Sequence, residues 1–325
     1  MEYLPEFELL RPKTIDQALE LKSTHLNSRY LAGGTDMIVN VRRGIENPEV
    51  LIDLTALDDF SNISFHEKEI KIGAGVTLSQ LSNNAQIRNN FPAITEAATL
   101  VAGPTHRQYG TVGGNLCLDT RCLYYNQSQW WRESNNFCLK HLGEVCHVAP
   151  GGKKCFAAFS GDIAPALLIY DAEIEIVSDS GSRTIPLSEL YRDDGMDHLS
   201  LSKEELLVSV RLRSPDDNSS SGYEKSRVRG SIDFPLAGCA VRLLVRSGKI
   251  GDLKIAITAV NPYPFLIEGT ERFVGNAVDV EVLDNIRDLV RLQAKPMRTT
   301  TISPWYRRRV IGALARRITA GLAGK

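Results

Sequence analysis

An α+β fold is what this sequence predicts, and three observations carry the expectation. Near the N-terminus a short apolar run, RYLAGG (29–34), ends in paired glycines and leads into a helical pattern, so a glycine turn lies between a strand and a helix start. Beyond about residue 175, short runs such as LLVSVRL, AGCAVRLLV and LKIAITAV are separated by polar stretches such as SPDDNSSSG, the pattern of antiparallel strands and their turns. Two helical patterns, near 278–293 and 304–322, close the chain. Helices and mostly antiparallel strands in separate blocks define the α+β class.

Taken in order, Thr14 is expected to cap a helix through IDQALELK, Thr35 to cap another through TDMIVNVRRG, and VLIDLT (50–55) to form a buried strand. These make a first unit at residues 1–56. A second unit, 57–177, holds the alternating ISFHEKEIKIGAGV and helices at 78–87 and 93–101. The loop GPTHRQYGTVGGN follows, and FSGDIAPALLIYDAEIEIVS runs from helix into strand. A third unit, 178–325, takes the remaining strands and the two closing helices. A chain of 325 residues, 43% of them hydrophobic, is long enough for two or three cores.

The formal net charge of −1 gives no pull towards nucleic acid or an anionic membrane. MEYLPEFELL lacks a basic segment followed by an apolar core, and the longest apolar run, IAPALLIY (163–170), is far short of the roughly 20 residues of a membrane helix. A cytoplasmic protein is expected, with thiols kept reduced.

Five of the six cysteines fall within the 39 residues 117–155, spaced Cys117-x4-Cys122-x15-Cys138-x7-Cys146-x8-Cys155, together with Trp130 and Trp131. In a reducing compartment such a group points to metal rather than disulfides. Four thiolates serve either a four-iron cluster or a structural zinc. The spacing is neither the compact CxxCxxC of ferredoxins nor the paired CxxC of zinc ribbons, so on residues alone both readings stay open, as does a set of unligated thiols. A zinc module for nucleic acid has only WWR, GGKK and the arginine-rich tail in its favour, against a near-neutral chain. Cys239, in AGCAV, reads as a core residue. His141 and His147 read as surface or hydrogen-bonding residues, and the tryptophans as packing that shields the cysteines. The tail PWYRRRVIGALARRITAGL is expected to dock as a helix with a solvated basic face.

Two glycine turns, LAGGTD (31–36) and GTVGGN (110–115), allow close backbone approach to a phosphate and offer free N–H groups. Neither is a GxGxxG or Walker motif, and each taken singly could equally be a plain tight turn.

This pair of turns, followed by SGDIAPAL and by EKSRVRGSIDFPLAG (224–238), resembles the FAD-binding medium subunits of the xanthine dehydrogenase and molybdenum hydroxylase family over essentially the whole chain. The resemblance implies a two-subdomain FAD-binding fold with a C-terminal α+β domain. It also implies FAD contacts from Leu31, Ala32, Gly33, Gly34, Thr35 and Asp36 and from Gly110, Thr111, Val112, Gly113, Gly114 and Asn115. Asp162 would sit at the flavin's ribityl or ribose region, Val101 would line the flavin side, and Lys225 and Phe234 would lie beside the isoalloxazine. About 40 extra residues separate the second turn from SGDIAPAL, and they are the cysteine segment, at about 117–158. That insertion resembles the 4-hydroxybenzoyl-CoA reductase branch, in which it carries a [4Fe–4S] cluster. The ligands expected from it are Cys122, Cys138, Cys146 and Cys155, with Cys117, two residues past the GGN turn, left as a packed thiol. The expected function is electron transfer, from ferredoxin, in reductive dehydroxylation of 4-hydroxybenzoyl-CoA. The molybdenum cofactor would lie on a large partner subunit and two [2Fe–2S] clusters on a small one, in a dimer of heterotrimers. The alternative is the FAD subunit of an oxidising hydroxylase with a structural zinc.

Overall fold

A computed structural model describes residues 4–215 and 219–324; the turn expected at SPDDNSSSG lies partly outside them. The first unit alternates β1 (Glu8–Leu10), α1 (Ile15–Thr24), β2 (Ser28–Leu31), α2 (Met37–Arg42) and β3 (Val50–Asp53). Its three strands form a parallel sheet in the order β1-β3-β2. The central strand, VLID, is buried at every position, as a strand covered on both faces must be. Thr14 does cap α1, accepting from the Gln17 N–H. The cap of α2 is Asp36 rather than Thr35; its side chain accepts from Asn40 Nδ2 at 3.0 Å and makes no capping bond to a backbone N–H of the helix.

The second unit begins with β4 (Ile63–Phe65) and β5 (Glu69–Gly73). Five short helices follow: α3 (Leu78–Asn83), α4 (Ala85–Asn90), α5 (Pro92–Leu100), α6 (Pro104–Tyr109) and α7 (Val112–Leu116). The single helix expected at 78–87 is broken at Asn84, whose side chain accepts from Ile87 N–H and so starts a new helix. Then come α8 (Gln129–Ser134) inside the cysteine segment, α9 (Ile163–Leu168), β6 (Glu173–Ser178), β7 (Gly181–Pro186) and β8 (Leu206–Arg213). Strands β4 to β8 form one sheet, in the order β4-β5-β8-β6-β7. Strands β6 to β8 therefore belong here, and the boundary expected at 177/178 moves to the stretch between β8 and the next strand. Alternation marks a strand but not its sheet; β8 joins this sheet through non-local pairing with β5 and β6.

The third unit is an antiparallel sheet, β12-β11-β10-β9, made of β9 (Ser220–Ser226), β10 (Ala237–Arg246), β11 (Lys249–Thr258) and β12 (Phe265–Leu266). The helices α10 (Val280–Gln293) and α11 (Pro304–Leu322) pack on it. Cys239 is fully buried in this core, beside Val241, Ile255 and Ile257. The basic face of α11 is less solvated than expected. Arg307 is 1% exposed and donates to the carbonyls of Leu236 and Met297 and to Thr299 Oγ1, at 2.8–3.0 Å, and to the Ala259 carbonyl. No described helix is long and apolar enough to cross a membrane.

Candidate functional site

The two glycine turns meet. Gly33 lies against the second turn so closely that a Cβ added there would sit 1.8 Å from the Tyr109 carbonyl oxygen, which is why no larger residue fits. Among the described residues, the backbone N–H groups of Gly33, Gly34, Thr35 and Asp36 donate to no protein acceptor. Four unspent amides in one turn form a concave donor set suited to an anion. The second turn is a one-turn helix: Thr111 Oγ1 caps α7, accepting from Gly114 N–H at 3.0 Å. Gly113 packs against Ala74, whose Cβ would stand 2.8 Å from any Cβ added at Gly113.

Both turns open into a cleft of about 790 Å³, within the range of cofactor sites. Of the residues expected to contact FAD, Ala32 to Asp36, Val101, Gly110, Thr111, Gly113 to Asn115, Asp162 and Phe234 line it. Leu31, Val112 and Lys225 do not. Leu31 closes β2 and Val112 is buried in the core. Lys225 is turned away to Asp162, its Nζ lying 3.0 Å from Oδ1 and 3.1 Å from Oδ2, and it also donates to the Asp233 carbonyl. Tyr223 donates to Asp162 Oδ1 at 2.6 Å. Burial raises the Asp162 carboxyl, while Lys225 and the Tyr223 hydroxyl oppose the rise. Asp162 thus stands at the cleft floor with its charge compensated from behind.

The sequence reading missed Arg121. Its guanidinium pairs with Asp36 of the first turn and lies 4.6 Å from the Phe234 ring centre, so it ties the first unit to the 224–238 segment across the cleft. Its Nε is buried without a partner. The stretch around Met196–Leu201 also lines the cleft. It includes His198, whose Nε2–H donates to the Leu118 carbonyl. Nothing local in the sequence marks either feature, because each gains its place through contacts 75 or more residues away.

The cysteine segment starts at the same cleft. Cys117, Leu118 and Arg121 line it, and the next residue, Cys122, is already part of a buried cluster with Cys138 and Cys155. Arg121 and Ala158 exchange both backbone hydrogen bonds, at 2.7 and 2.9 Å, and so close the base of the insert. Cys122, Cys138, Cys146 and Cys155 are 5–8% exposed. They lie within electrostatic reach of one another: Cys138 and Cys146 act on Cys122, and Cys146 and Cys122 act on Cys155. Burial pushes the Cys122 thiol up to about 11 and that of Cys155 to about 12. Among the described residues, no three Cys, His, Asp or Glu side chains are placed to hold a single metal ion. His147 bonds the Phe137 carbonyl, and His141 packs between Tyr125 and Phe137. Of the two tryptophans, Trp130 is 74% exposed, whereas Trp131 is half-buried with its ring centre 6.4 Å from that of Tyr124; the buried residue of α8 is Arg132.

Comparison with known proteins agrees with this layout. Residues 5–214 match the model of the FAD binding domain in molybdopterin dehydrogenase, and residues 221–322 the CO dehydrogenase flavoprotein C-terminal domain. The chain is 24% identical over 311 residues to the xanthine dehydrogenase FAD-binding subunit of Escherichia coli O157:H7, covering 95% of this chain and 93% of that one. It is 27% identical over 314 residues to the carbon monoxide dehydrogenase medium chain of Afipia carboxidovorans, covering 96% and 94%. The fold superposes on that of reconstituted CO dehydrogenase from Oligotropha carboxidovorans with a TM-score of 0.81, at 24% identity and 99% coverage of both chains. The chain therefore belongs to the family of FAD-binding medium subunits of the xanthine dehydrogenase and CO dehydrogenase type of molybdenum hydroxylases.

Proposed function

We propose that this FAD-binding subunit also holds a [4Fe–4S] cluster on Cys122, Cys138, Cys146 and Cys155, and serves a heteromeric molybdenum enzyme that converts 4-hydroxybenzoyl-CoA to benzoyl-CoA. One observation carries the reading: the insert buries Cys122, Cys138 and Cys155 in one cluster, with buried Cys146 within electrostatic reach of Cys122 and Cys155, directly after the stretch 117–121 that lines the FAD cleft. The donor set is all sulfur, which suits iron–sulfur chemistry. A structural zinc takes the same four thiolates, so metal and acid-labile sulfide content separate the two.

The free amides of Gly33 to Asp36 would receive the FAD pyrophosphate, and Asp162 and Val101 would flank the flavin half. When bound, the flavin supplies exchange between one-electron and two-electron chemistry, and the cluster supplies single electrons. The protein's part is to hold the two sites a few residues apart and to keep water off the thiols. Removal of the phenolic hydroxyl takes two electrons and two protons, and leaves as water. It would occur on a large molybdenum-cofactor subunit, reached through a small subunit with two [2Fe–2S] clusters, in a dimer of heterotrimers. The electrons would come from ferredoxin. Medium chains of CO dehydrogenases among the relatives support a heteromeric setting.

The test is an anaerobic assay of the purified complex with reduced ferredoxin and 4-hydroxybenzoyl-CoA, with benzoyl-CoA followed by mass spectrometry. Formation of benzoyl-CoA in step with ferredoxin oxidation is expected. A complex that instead only oxidises substrates, reducing NAD or a quinone, would contradict the reading.

A further inference from the structure

The helix α8 presents an unusual inward residue. Its sequence QWWRES offers two tryptophans for burial, yet the side chain that goes in is Arg132, 1% exposed. Its Nη2 donates to the Gly44 carbonyl at 2.7 Å and to the Arg43 carbonyl at 3.3 Å. Its Nε and Nη1 are buried with no hydrogen-bond partner. Among the described residues no Asp or Glu pairs with it; the acidic groups that act on it are the Tyr125 phenol and the Cys138 thiol. A guanidinium cannot shed its proton inside a protein, and a buried unpaired charge costs several kcal/mol. Such a residue persists where an anion meets it.

The contrast with the other buried cation of the insert is informative. Lys140 acts on Cys155, but it is already matched: its Nζ reaches Asp119 Oδ1 at 2.6 Å, bonds Thr120, and lies 4.4 Å from the Tyr125 ring centre. Arg132 has two donor nitrogens left over, and it lies within electrostatic reach of Cys138. Four thiolates around a [4Fe–4S] core carry two net negative charges when oxidised and three when reduced. A fixed buried cation beside them favours the more negative state, and net charge with hydrogen bonds to sulfur is what sets such potentials.

We propose that Arg132 is the counter-charge of the cysteine site, its Nε–H and Nη1–H directed at the four-thiolate group, and that it biases that group towards its reduced form. This rests on the cluster assignment made above for Cys122, Cys138, Cys146 and Cys155. Arg132 is a positioning residue: it ligates nothing and acts through the charge it holds.

The experiment uses the full chain, purified anaerobically, as wild type, Arg132→Met and Arg132→Lys. Each is assayed for iron, acid-labile sulfide and FAD, for its circular dichroism, and for midpoint potential by EPR-monitored titration with dithionite and mediators. In Arg132→Met that keeps its iron, the reduced-to-oxidised ratio at a fixed potential should fall at least tenfold, equivalent to about 59 mV for one electron. Arg132→Lys should stay nearer the wild type. If Arg132→Met folds and binds FAD but loses iron while Arg132→Lys keeps it, the charge requirement is upheld. A wild-type potential in iron-replete Arg132→Met overturns the proposal, as does loss of iron from both variants, which would assign the residue to shape rather than charge. Wild-type protein with FAD but no iron or sulfide would bring down the cluster assignment itself, a result read before any variant is compared.

Discussion

Replacing Gly33 with alanine tests the contact between the two glycine turns. The added Cβ would lie 1.8 Å from the Tyr109 carbonyl oxygen, 2.3 Å from its carbon and 3.0 Å from the Gly110 nitrogen. All three are backbone atoms and cannot rotate aside. To reach even 3.0 Å, one turn must retreat by at least 1.2 Å, which moves the free amides of residues 33–36 relative to the second turn. Overpacking against a fixed wall costs about 1–3 kcal/mol. If most of that strain falls on the bound state, FAD affinity drops by about tenfold to a hundredfold. The assay is titration of FAD-depleted protein by quenching of flavin fluorescence, with circular dichroism to verify the fold. Gly151→Ala is the control, because a Cβ there meets nothing within 4 Å. An affinity for Gly33→Ala within twofold of wild type, with unchanged thermal stability, would refute the argument that these turns form one cradle.

Other predictions follow from the buried charges and thiols. Asp162→Asn leaves the Lys225 ammonium, 1% exposed, without its carboxylate; breaking a buried pair from one side costs about 3–5 kcal/mol, to be read as a lower urea midpoint, and an unchanged midpoint would contradict it. Burial lowers His198 from its ordinary 6.5 to about 4, with Asp119 opposing the shift. The native state therefore holds the neutral ring, and its stabilisation is complete above about pH 6.5 and is lost as pH falls towards 4, on the order of 3 kcal/mol at most. His198→Gln should thus show a shallower loss of stability than wild type between pH 6.5 and 4.5, and parallel urea curves across that window would count against it. Cys138→Ser should remove iron while leaving the FAD absorbance intact, and Cys117→Ser should leave iron content unchanged; the reverse pattern would reassign the ligand set.

What was legible in the sequence divides by the range of the interaction involved. Thr14 as a cap depends on a partner three residues away, and the buried strand at 50–53 and the turn at Gly33–Gly34 are marked by their own residue types, a continuous apolar run and paired glycines, although their partners are distant. The cysteine segment stood out because five cysteines in 39 residues contrast with one in the rest of the chain, but which of them are buried together was not legible from their spacing. Sheet membership was not legible, since β8 reads the same whether it pairs with β5 or with the third unit. Charges fared worst. Arg121 and Arg132 sit in a segment that looks like ordinary polar loop, yet one bridges the cleft to Asp36 and the other is buried against Gly44. Arg307 was assigned to a solvated helix face and is instead a core clasp on four backbone and side-chain acceptors. A guanidinium reveals its role only through acceptors brought by distant chain.

The most direct test of the central claim, that one chain carries both a flavin and an iron–sulfur cluster, is the cofactor stoichiometry of this chain purified alone under anaerobic conditions. The account predicts one FAD, with about four irons and four acid-labile sulfides and an EPR signal on reduction. One FAD with a single zinc and no sulfide would contradict it, and would turn the cysteine insert from an electron port into a structural clasp.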